Sequence, residues 1–361
     1  MEDNKYVYWL EDLDRDDLFL AGRKCCGLGE MLRSGLPVPP GFAVSLKAYE
    51  TFIDETGVGR SIRQYFDDNI DRMKEDVGAF EEAGRHIGGL VESQPVPGDI
   101  REVILEHYHE LGKRCGAPGV SVAIRSSGPV SMPGQFDTFL NINGPEEVLA
   151  HVKRVWASSF NARAIAYRMQ RGMRVESSPI GVAVLKMVNA RSSGVMFTLD
   201  PLNGDPSRIF IEGSWGLGES LVSGQVTPDK YTVDKVTLQI TRRVICSKKM
   251  KMVYGPGGSI QAVDVPPEEV NLPCLEDSEV VQLAKLGKMV ERHYGVPQDL
   301  EWAVDSDLPP PGNIILLQTR PETVWSRKKA EPVVKPKSSA LEHIASTLLA
   351  GKKFFPREPD S

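Results

Sequence analysis

Cysteine is scarce in this sequence of 361 residues: there are five, and no two of them form a Cys-x-x-Cys pair. That scarcity argues against a disulfide framework and a structural zinc site, and it suits a reducing, cytoplasmic location. Long apolar runs are missing too, and the acidic N-terminus lacks the basic start and apolar core of a secretion signal. We therefore expect a chain that neither spans a membrane nor is secreted.

An excess of positive charge is also missing, because 43 lysines and arginines face 49 acidic residues and leave a formal net charge of −6. Such a balance gives no general attraction to nucleic acid or to an anionic membrane. Any phosphate must therefore be held by local groups. The length exceeds that of one ordinary hydrophobic core, which predicts two lobes and a cleft between them.

The common nucleotide fingerprints are absent as well. No G-x-x-x-x-G-K-[ST] run occurs, and neither "GLGEML" nor "GLGESL" completes G-x-G-x-x-G. The sequence thus excludes a Walker-type site and a dinucleotide fingerprint of the Rossmann type.

One stretch that is present, "SVAIRSSGPVSMPGQFDT", runs from an apolar strand pattern into a glycine- and proline-containing loop. Arg125 ends the strand, so its side chain emerges from a rigid base. Ser126, Ser127 and the loop are expected to turn hydroxyl and N–H groups toward an anion. An ordinary mobile connection with an exposed arginine fits the same pattern. Lys24, just before a helix start expected at Gly27, is equally ambiguous between a phosphate ligand and a solvated lysine.

A second stretch, "DLEWAVDSDLPPPGNIILLQTRPET", places two strand patterns around a proline-rich turn and predicts a hairpin. The simplest register sets Glu301 opposite Leu316 and diagonal to Gln318, with Arg320 on the same face. Carboxylate and amide oxygens suit Mg²⁺, and a guanidinium suits phosphate. A surface salt bridge between Glu301 and Arg320 is the alternative that spacing leaves open.

Helical periodicity predicts helices over residues 146–171 and 277–295, the second ended by Gly295. A change in composition near residue 190 is the expected lobe boundary. The predicted organisation is an N-terminal lobe over 1–190, a C-terminal lobe with the metal-binding hairpin over 191–326, and a linker with an amphipathic helical tail over 327–361.

Seven ordered segments together resemble one family, the nucleotide-binding part of phosphoenolpyruvate synthase and pyruvate phosphate dikinase. They are "AGRKCCGLGEM", "GLPVPPGFAVS", "VAIRSSGPVSMPGQFDT", "SSGVMFTLDP", "GSWGLGESLVSGQVTPDKY", "LEWAVD" and "LLQTRPET". The resemblance runs from about residue 15 to 326. It implies an α/β (α+β) chain with an ATP-grasp-like two-lobed nucleotide-binding fold, and ATP with Mg²⁺, or Mn²⁺, between the lobes.

Site roles follow from the resemblance position by position. Lys24, Arg125 and Arg320 would be the catalytic cations that bind the phosphates, and Glu301 and Gln318 would hold the metal. The loop that closes over the phosphates would contribute Ser131, Met132, Gly134, Asp137 and Thr138. The strand along the adenine would contribute Lys186, Met187 and Val188.

Family members pass phosphate through a histidine in a T-S-H-A motif, and none of the six histidines here lies in such a motif. We therefore expect an ATP-binding subunit that turns ATP into AMP and phosphate with a partner subunit carrying the phosphohistidine and acceptor-binding domains. In size and content the chain resembles the ATP-binding (beta) subunit of phenylphosphate synthase, which implies phenol as acceptor. Alternatives are part of a phosphoenolpyruvate synthase-like or antibiotic phosphotransferase, a self-sufficient ATP-grasp ligase, and a non-catalytic ATP sensor.

Overall fold

The structure is a computed structural model that describes residues 5–130, 136–175, 178–255 and 259–325. Contacts divide the chain into the units Met1–Glu322 and Thr323–Ser361. The predicted tail over 327–361 and the loop residues Ser131, Met132 and Gly134 lie outside the described residues. The described helices are α1 (Leu18–Arg33), α2 (Leu46–Glu55), α3 (Val58–Glu75), α4 (Gly78–Ser93), α5 (Gly98–Arg114), α6 (Pro145–Ser158), α7 (Ala162–Gln170), α8 (Glu219–Val222) and α9 (Asp277–Tyr294).

The strands form three antiparallel sheets, and their bounds are as follows: β1 (Val7–Trp9), β2 (Gly41–Val44), β3 (Val122–Ser127), β4 (Thr138–Ile142), β5 (Gly181–Lys186), β6 (Ala190–Phe197), β7 (Arg208–Trp215), β8 (Asp229–Asp234), β9 (Ile240–Val244), β10 (Met250–Tyr254), β11 (Ile260–Asp264), β12 (Gln298–Asp305) and β13 (Ile314–Pro321). The first sheet has the order β1-β2-β5-β3-β4 and the second β13-β12-β6-β7-β8-β9. β10 and β11 form a separate two-stranded ribbon.

The first sheet is apolar on both faces because its central strand β5 alternates between two cores. Val182 and Val184 belong to a core that also includes buried residues of α2 to α7. Ala183 and Leu185 belong to a second core, which also takes in α1, α9 and the second sheet. Successive side chains of a strand point to opposite faces, so a continuous apolar run is what a strand covered on both sides requires.

The second sheet has one face in the core and one face toward a cavity. Leu300, Trp302 and Val304 of β12 are buried in the core shared with α1 and α9. Glu301 and Ala303, on the opposite face of the same strand, line a cavity instead. The alternation of β12 therefore separates core from site with a period of two.

Several predicted elements are confirmed: a buried strand beginning at Val122, the hairpin of β12 and β13, and the long late helix, which stops at Gly295 in the left-handed region with φ 70°. The strand does not end at Arg125 as predicted, because Ser126 and Ser127 continue its pairing with β5. The helix predicted over 146–171 is wrong in one respect, because α6 ends at Ser158. Asn161 then begins α7 by accepting the Ala164 N–H at 2.8 Å. No described helix has the length and apolarity needed to cross a membrane.

Candidate active site

A cavity of about 720 Å³ is lined by residues of both sheets, within the size range of small-molecule sites. One part of its lining is apolar and is contributed by Ala123, Leu140, Leu185, Met187, Val188, Ala190, Leu217, Met252, Ala303 and Leu317. Polar side chains, among them Arg125, Thr138, Lys186 and Glu301, also line it. A site with an apolar wall and a few convergent polar groups suits a ligand with a flat base and a charged tail.

Arg125 is placed by β3, which lies between β4 and β5 in the first sheet. Its Nη2 donates to Glu301 Oε2 at 3.0 Å and to Gln318 Oε1 at 3.2 Å, so one donor joins the two sheets. Its Nε is buried and has no hydrogen-bond partner among the described residues. A buried donor without a partner is costly unless a ligand satisfies it, which marks Arg125 as a group prepared for an anion.

The hairpin register differs from the predicted one. Glu301 lies directly opposite Gln318, because the ladder shifts between Glu301 and Trp302 and adds a residue on β13. Leu316 lies opposite Trp302 and faces the core, so its predicted place on the Glu301 face is wrong. The bulge brings the carboxylate and the amide oxygen closer than a diagonal pairing would.

Lys24 is brought to this point by a kink in α1. The helix begins at Leu18 rather than at the predicted Gly27, but Gly22 interrupts it with φ +80°. Beyond the kink, Arg23 N–H donates to Gly128 O at 3.0 Å, and Cys25 N–H donates to Ser127 Oγ at 3.1 Å. The Ser127 hydroxyl therefore fixes α1 against the end of β3. The prediction that this hydroxyl faces an anion is wrong.

Burial and neighbouring charges shift the pKa values of Lys24 and Glu301. Burial, and then the neighbouring Arg125, lowers the pKa of Lys24 to about 8, although Glu301 partly opposes the shift. Burial, the largest single influence, raises the pKa of Glu301, but Arg125, Lys24 and Arg320 together outweigh it and the net direction is down. Lys24 and Arg125 share one carboxylate, so the site holds more positive than negative charge, and an anionic ligand would balance it.

Arg320 lies on the same hairpin face as Glu301 but pairs with a different acid. Its Nε donates to Asp299 Oδ2 at 2.6 Å, and about half of its side chain is exposed. The alternative salt bridge between Glu301 and Arg320 is therefore wrong in this structure, because Arg125 takes Glu301 and Asp299 takes Arg320. Cross-strand register explains the choice, since Asp299 is directly opposite Arg320.

Lys186, Met187 and Val188 follow the end of β5 and line the apolar part of the cavity. Lys186 Nζ lies 4.0 Å from Asp305 Oδ2. The Val188 carbonyl accepts from Tyr254 Oη at 2.5 Å and from the Ala190 N–H at 3.0 Å. Within the described chain the Val188 N–H has no partner, so it can donate to a ligand placed against this wall.

Of the predicted phosphate loop, Asp137 and Thr138 are described. Asp137 N–H donates to Ser158 Oγ at 3.4 Å, and Thr138 pairs with Arg125 across β3 and β4 and lines the cavity. Sequence reasoning missed several further contributors, among them the segment Leu217–Gln225 and Arg163. The "GLGES" segment belongs to one of the seven motifs of the family resemblance and is an incomplete dinucleotide fingerprint, but no site role was assigned to it; Arg163 carries no local signal.

The donors present fit a magnesium ion bound together with phosphate. No described group of three or more histidine, cysteine, aspartate or glutamate side chains could hold a metal on its own. Glu301 and Gln318 supply two hard oxygens that now share one arginine donor. Mg²⁺ commonly takes one or two protein oxygens and completes its shell with water and substrate phosphates, so this small set is sufficient for it.

The fold and cavity define a mixed helix-and-sheet protein with a site of nucleotide size. A comparison with protein families matches residues 19–341 to the family described as pyruvate phosphate dikinase, AMP/ATP-binding domain. The match covers most of the sequence, so the chain belongs to this family.

Curated relatives agree with the family. The chain is 40% identical to a protein named probable phosphoenolpyruvate synthase from Staphylothermus marinus, over 91% of this chain and 42% of that protein. It is also 40% identical to phosphoenolpyruvate synthase from Aeropyrum pernix, over 98% of this chain and 47% of that one. For the probable phosphoenolpyruvate synthase of Methanothermobacter thermautotrophicus the shares are 98% and 52%, again at 40% identity. The chain thus spans about half the length of these relatives.

Among solved structures, D-alanyl-alanine synthetase A from Vibrio cholerae matches 60% of this chain and 46% of its own, with 11% identity and a TM-score of 0.25. A likeness this weak carries no argument about the fold. The mixed helix and sheet composition is confirmed by the structure itself, and the ATP-grasp-like arrangement of two lobes divided near residue 190 stays a prediction.

Proposed function

We propose that this chain binds ATP with Mg²⁺ in the cavity and prepares its phosphates for transfer to a histidine that lies outside these 361 residues. The observation that carries the proposal is the convergence of Arg125, Glu301 and Gln318 from two sheets, with the buried Arg125 Nε left without a partner. The family membership supports the same ligand.

In the proposed complex the base lies against Met187 and Val188, and the Val188 N–H donates to it. The phosphates lie toward Arg125. Along β3 the position of Arg125 is three residues from Val122, which pairs with Lys186, and this corresponds to about 10 Å of extended strand. A nucleotide therefore runs along the strand, with its base at one end and its phosphates at the other.

The protein's contribution to the chemistry is positioning and charge neutralisation. Lys24 and Arg125 offset the charge of the phosphates, and Arg320 does so after exchanging Asp299 for phosphate. Glu301 and Gln318 would hold Mg²⁺, which would neutralise charge on the phosphate oxygens. The group that receives one phosphoryl group is a histidine supplied from outside. Both anhydride bonds of ATP are broken, one by the histidine and one by a water molecule, so AMP and inorganic phosphate are the other products.

The finer version of the proposal places that histidine on a separate partner subunit and takes phenol as the final acceptor. It rests on the resemblance to phenylphosphate synthase. The names of the relatives favour the acceptor of a phosphoenolpyruvate synthase as the alternative. Adding phenol or pyruvate to the chain together with its copurified partner, and looking for the phosphorylated product, separates the two.

The experiment that tests the core proposal is binding of ATP to the purified chain by titration calorimetry, with and without Mg²⁺. We expect saturable binding with one site per chain and negligible turnover of ATP by the chain alone. Arg320→Ala should abolish phosphate transfer to the partner while the thermal unfolding midpoint stays unchanged. Absence of ATP binding, or robust conversion of ATP to AMP without any partner, would contradict the proposal.

A further inference from the structure

Arg163 is a cavity-lining residue to which neither the sequence motifs nor the family resemblance assigns a role. It is the second residue of α7 and is exposed. The helix that carries it is firmly placed. Arg168, one turn further along, is buried and donates to Ser159 O at 2.7 Å and to Ser178 Oγ at 2.9 Å. The backbone that presents Arg163 is therefore fixed, although its side chain is free to reach into the cavity.

A comparison of the cations sets Arg163 apart. Three basic side chains of the described residues line the cavity, namely Arg125, Lys186 and Arg163. Arg125 pairs with Glu301, and Lys186 lies at ion-pair distance from Asp305. In the part of the chain that the structure describes, no carboxylate lies within 4.0 Å of Arg163. Helix stability does not explain why an arginine occupies this position either, because a cation in the first turn opposes the helix dipole.

The chain that leads into α7 is joined to the strand that pairs with Arg125. Thr138 pairs with Arg125, and the preceding Asp137 donates its N–H to Ser158 Oγ at 3.4 Å. Ser158 is the last residue of α6 and stands five positions before Arg163. The hydrogen bond thus joins the end of α6, just before α7, to the residue that precedes the partner of Arg125 on β4. We infer that Arg163 is nearer to Arg125 than to the proposed base site at Met187 and Val188.

We propose that Arg163 is a phosphate-binding residue, which contacts the β- or γ-phosphate of the nucleotide from the helical side of the cavity. The proposal rests on the proposed function, since it takes the ligand to be a nucleotide with its phosphates toward Arg125. A guanidinium is suited to this contact because it donates two parallel hydrogen bonds to phosphate oxygens. With Arg163 included, the phosphates are contacted from two separate elements, β3 and α7, as well as from α1.

The test compares the affinities of ATP, ADP and AMP for the wild-type chain, Arg163→Ala, Arg163→Lys and the control Arg171→Ala. Arg171 is an exposed arginine just beyond the other end of α7 and does not line the cavity. We expect Arg163→Ala to weaken ATP binding roughly tenfold or more while AMP binding stays unchanged. If the contact is to the β-phosphate, ADP should lose affinity as ATP does. If the contact is to the γ-phosphate, the affinity for ADP should stay unchanged, as that for AMP does. Arg163→Lys should recover part of the loss, and Arg171→Ala should bind all three as the wild type does.

Two results would overturn the inference alone: unchanged ATP affinity in Arg163→Ala, or an equal loss for ATP and AMP. The equal loss would mean that the residue supports the fold or the base site. Thermal unfolding of each variant identifies a folding defect. If Arg163→Ala is destabilised, the ATP affinity of Arg163→Lys decides whether the residue binds phosphate, because lysine keeps the charge. A wild-type chain that binds none of the three nucleotides would overturn the proposed function, and this inference with it.

Discussion

Arg125 and Glu301 are 176 residues apart in the chain, yet Arg125 Nη2 donates to Glu301 Oε2 at 3.0 Å. The pair joins the first sheet to the second at the wall of the cavity, and Gln318 shares the same donor. Because both partners are partly withdrawn from solvent, with side-chain exposures of 18% and 33%, the interaction is less screened than a surface ion pair. Its groups are also those proposed to hold phosphate and metal, so structure and binding are coupled here.

The first prediction concerns Arg125→Ala. Losing a charge-assisted donor to phosphate should weaken ATP binding by roughly ten- to a hundredfold. The pKa of Glu301 should rise, because burial then acts without the opposing guanidinium. Titration calorimetry measures the affinity, and carbon-13 NMR of the glutamate carboxyl measures the pKa. The control is Arg101→Ala, which removes an exposed arginine paired with Glu146 and should leave both quantities unchanged; ATP affinity equal to that of the wild type in Arg125→Ala would contradict the assigned role.

The second prediction concerns Glu301→Gln, which keeps the shape of the side chain and removes its charge. ATP without metal should bind as tightly as before or tighter, because one negative charge near the phosphates is gone. The gain in affinity that Mg²⁺ gives the wild-type chain should be lost, because a carboxylate ligand is replaced by a weaker amide. Calorimetric titrations with and without Mg²⁺ measure both effects.

Glu212→Gln is the matched control for that variant. Glu212 is a glutamate on β7 of the same sheet, where it pairs with Lys230 outside the cavity lining. Its removal should leave the metal dependence as in the wild type. A Glu301→Gln chain that still binds Mg²⁺-ATP with the full gain would exclude Glu301 as a metal ligand.

The third prediction is a pH dependence set by Lys24. Because its pKa in the folded chain is about 8, the ammonium is lost as the pH rises through that value. ATP affinity should then fall, by at most about tenfold per pH unit, until the pKa of the bound state is reached. Lys24→Met should bind ATP more weakly at pH 7 and lose this pH dependence. A wild-type affinity for ATP that does not change between pH 7 and 9.5 would refute the role of Lys24.

Lys24 should also make the stability of the fold depend on pH. ATP affinity should fall as the pH rises, whereas the free energy of unfolding should increase. The folded pKa is lowered from the ordinary value of 10.5 to about 8, so between these values the unfolded chain binds more protons than the folded one. The free energy of unfolding contributed by Lys24 should therefore increase with pH over this window. Denaturant unfolding of wild type and Lys24→Met at pH 7.5 and 10 measures the difference: the wild type should gain relative to the variant on going to the higher pH.

The fourth prediction concerns the kink of α1. In Gly22→Ala the new Cβ would lie 1.9 Å from Ser127 O and 2.7 Å from Ser127 Oγ, at φ +80°. The free energy of unfolding should fall by at least about 2 kcal/mol, because the backbone is strained and the end of β3 must shift. ATP affinity should fall as well, since this contact sets Lys24 beside Arg125.

Gly27→Ala is the control in the same helix. Its added Cβ meets nothing within 4 Å, and its φ is not positive. Alanine is the better helix former, so this variant should gain about 0.5–1 kcal/mol and bind ATP normally. If both variants lost stability equally, general sensitivity of α1 rather than the kink at Gly22 would be the cause.

Much of the local structure could be predicted from patterns within a few residues. The strand that carries Arg125, the hairpin containing Glu301 and Gln318, and the helix stopped by Gly295 follow from alternation, helical spacing and turn residues. The hairpin register could not be predicted, because a one-residue bulge between Glu301 and Trp302 is invisible in the alternation on either side. The start of α1 was missed because Gly22 interrupts a helix that resumes immediately.

The sequence by itself determined which residue types are available: the cations Lys24, Arg125 and Arg320, the oxygens of Glu301 and Gln318, and the ordered motifs that predict the family. The tertiary structure alone decided which of them meet. Arg125 rather than Arg320 pairs with Glu301, Asp299 takes Arg320, and Arg163 lines the cavity without any motif to mark it. The physical reason is that an ion pair depends on distance through space. The packing of the two sheets sets that distance, and spacing along the chain does not reveal it.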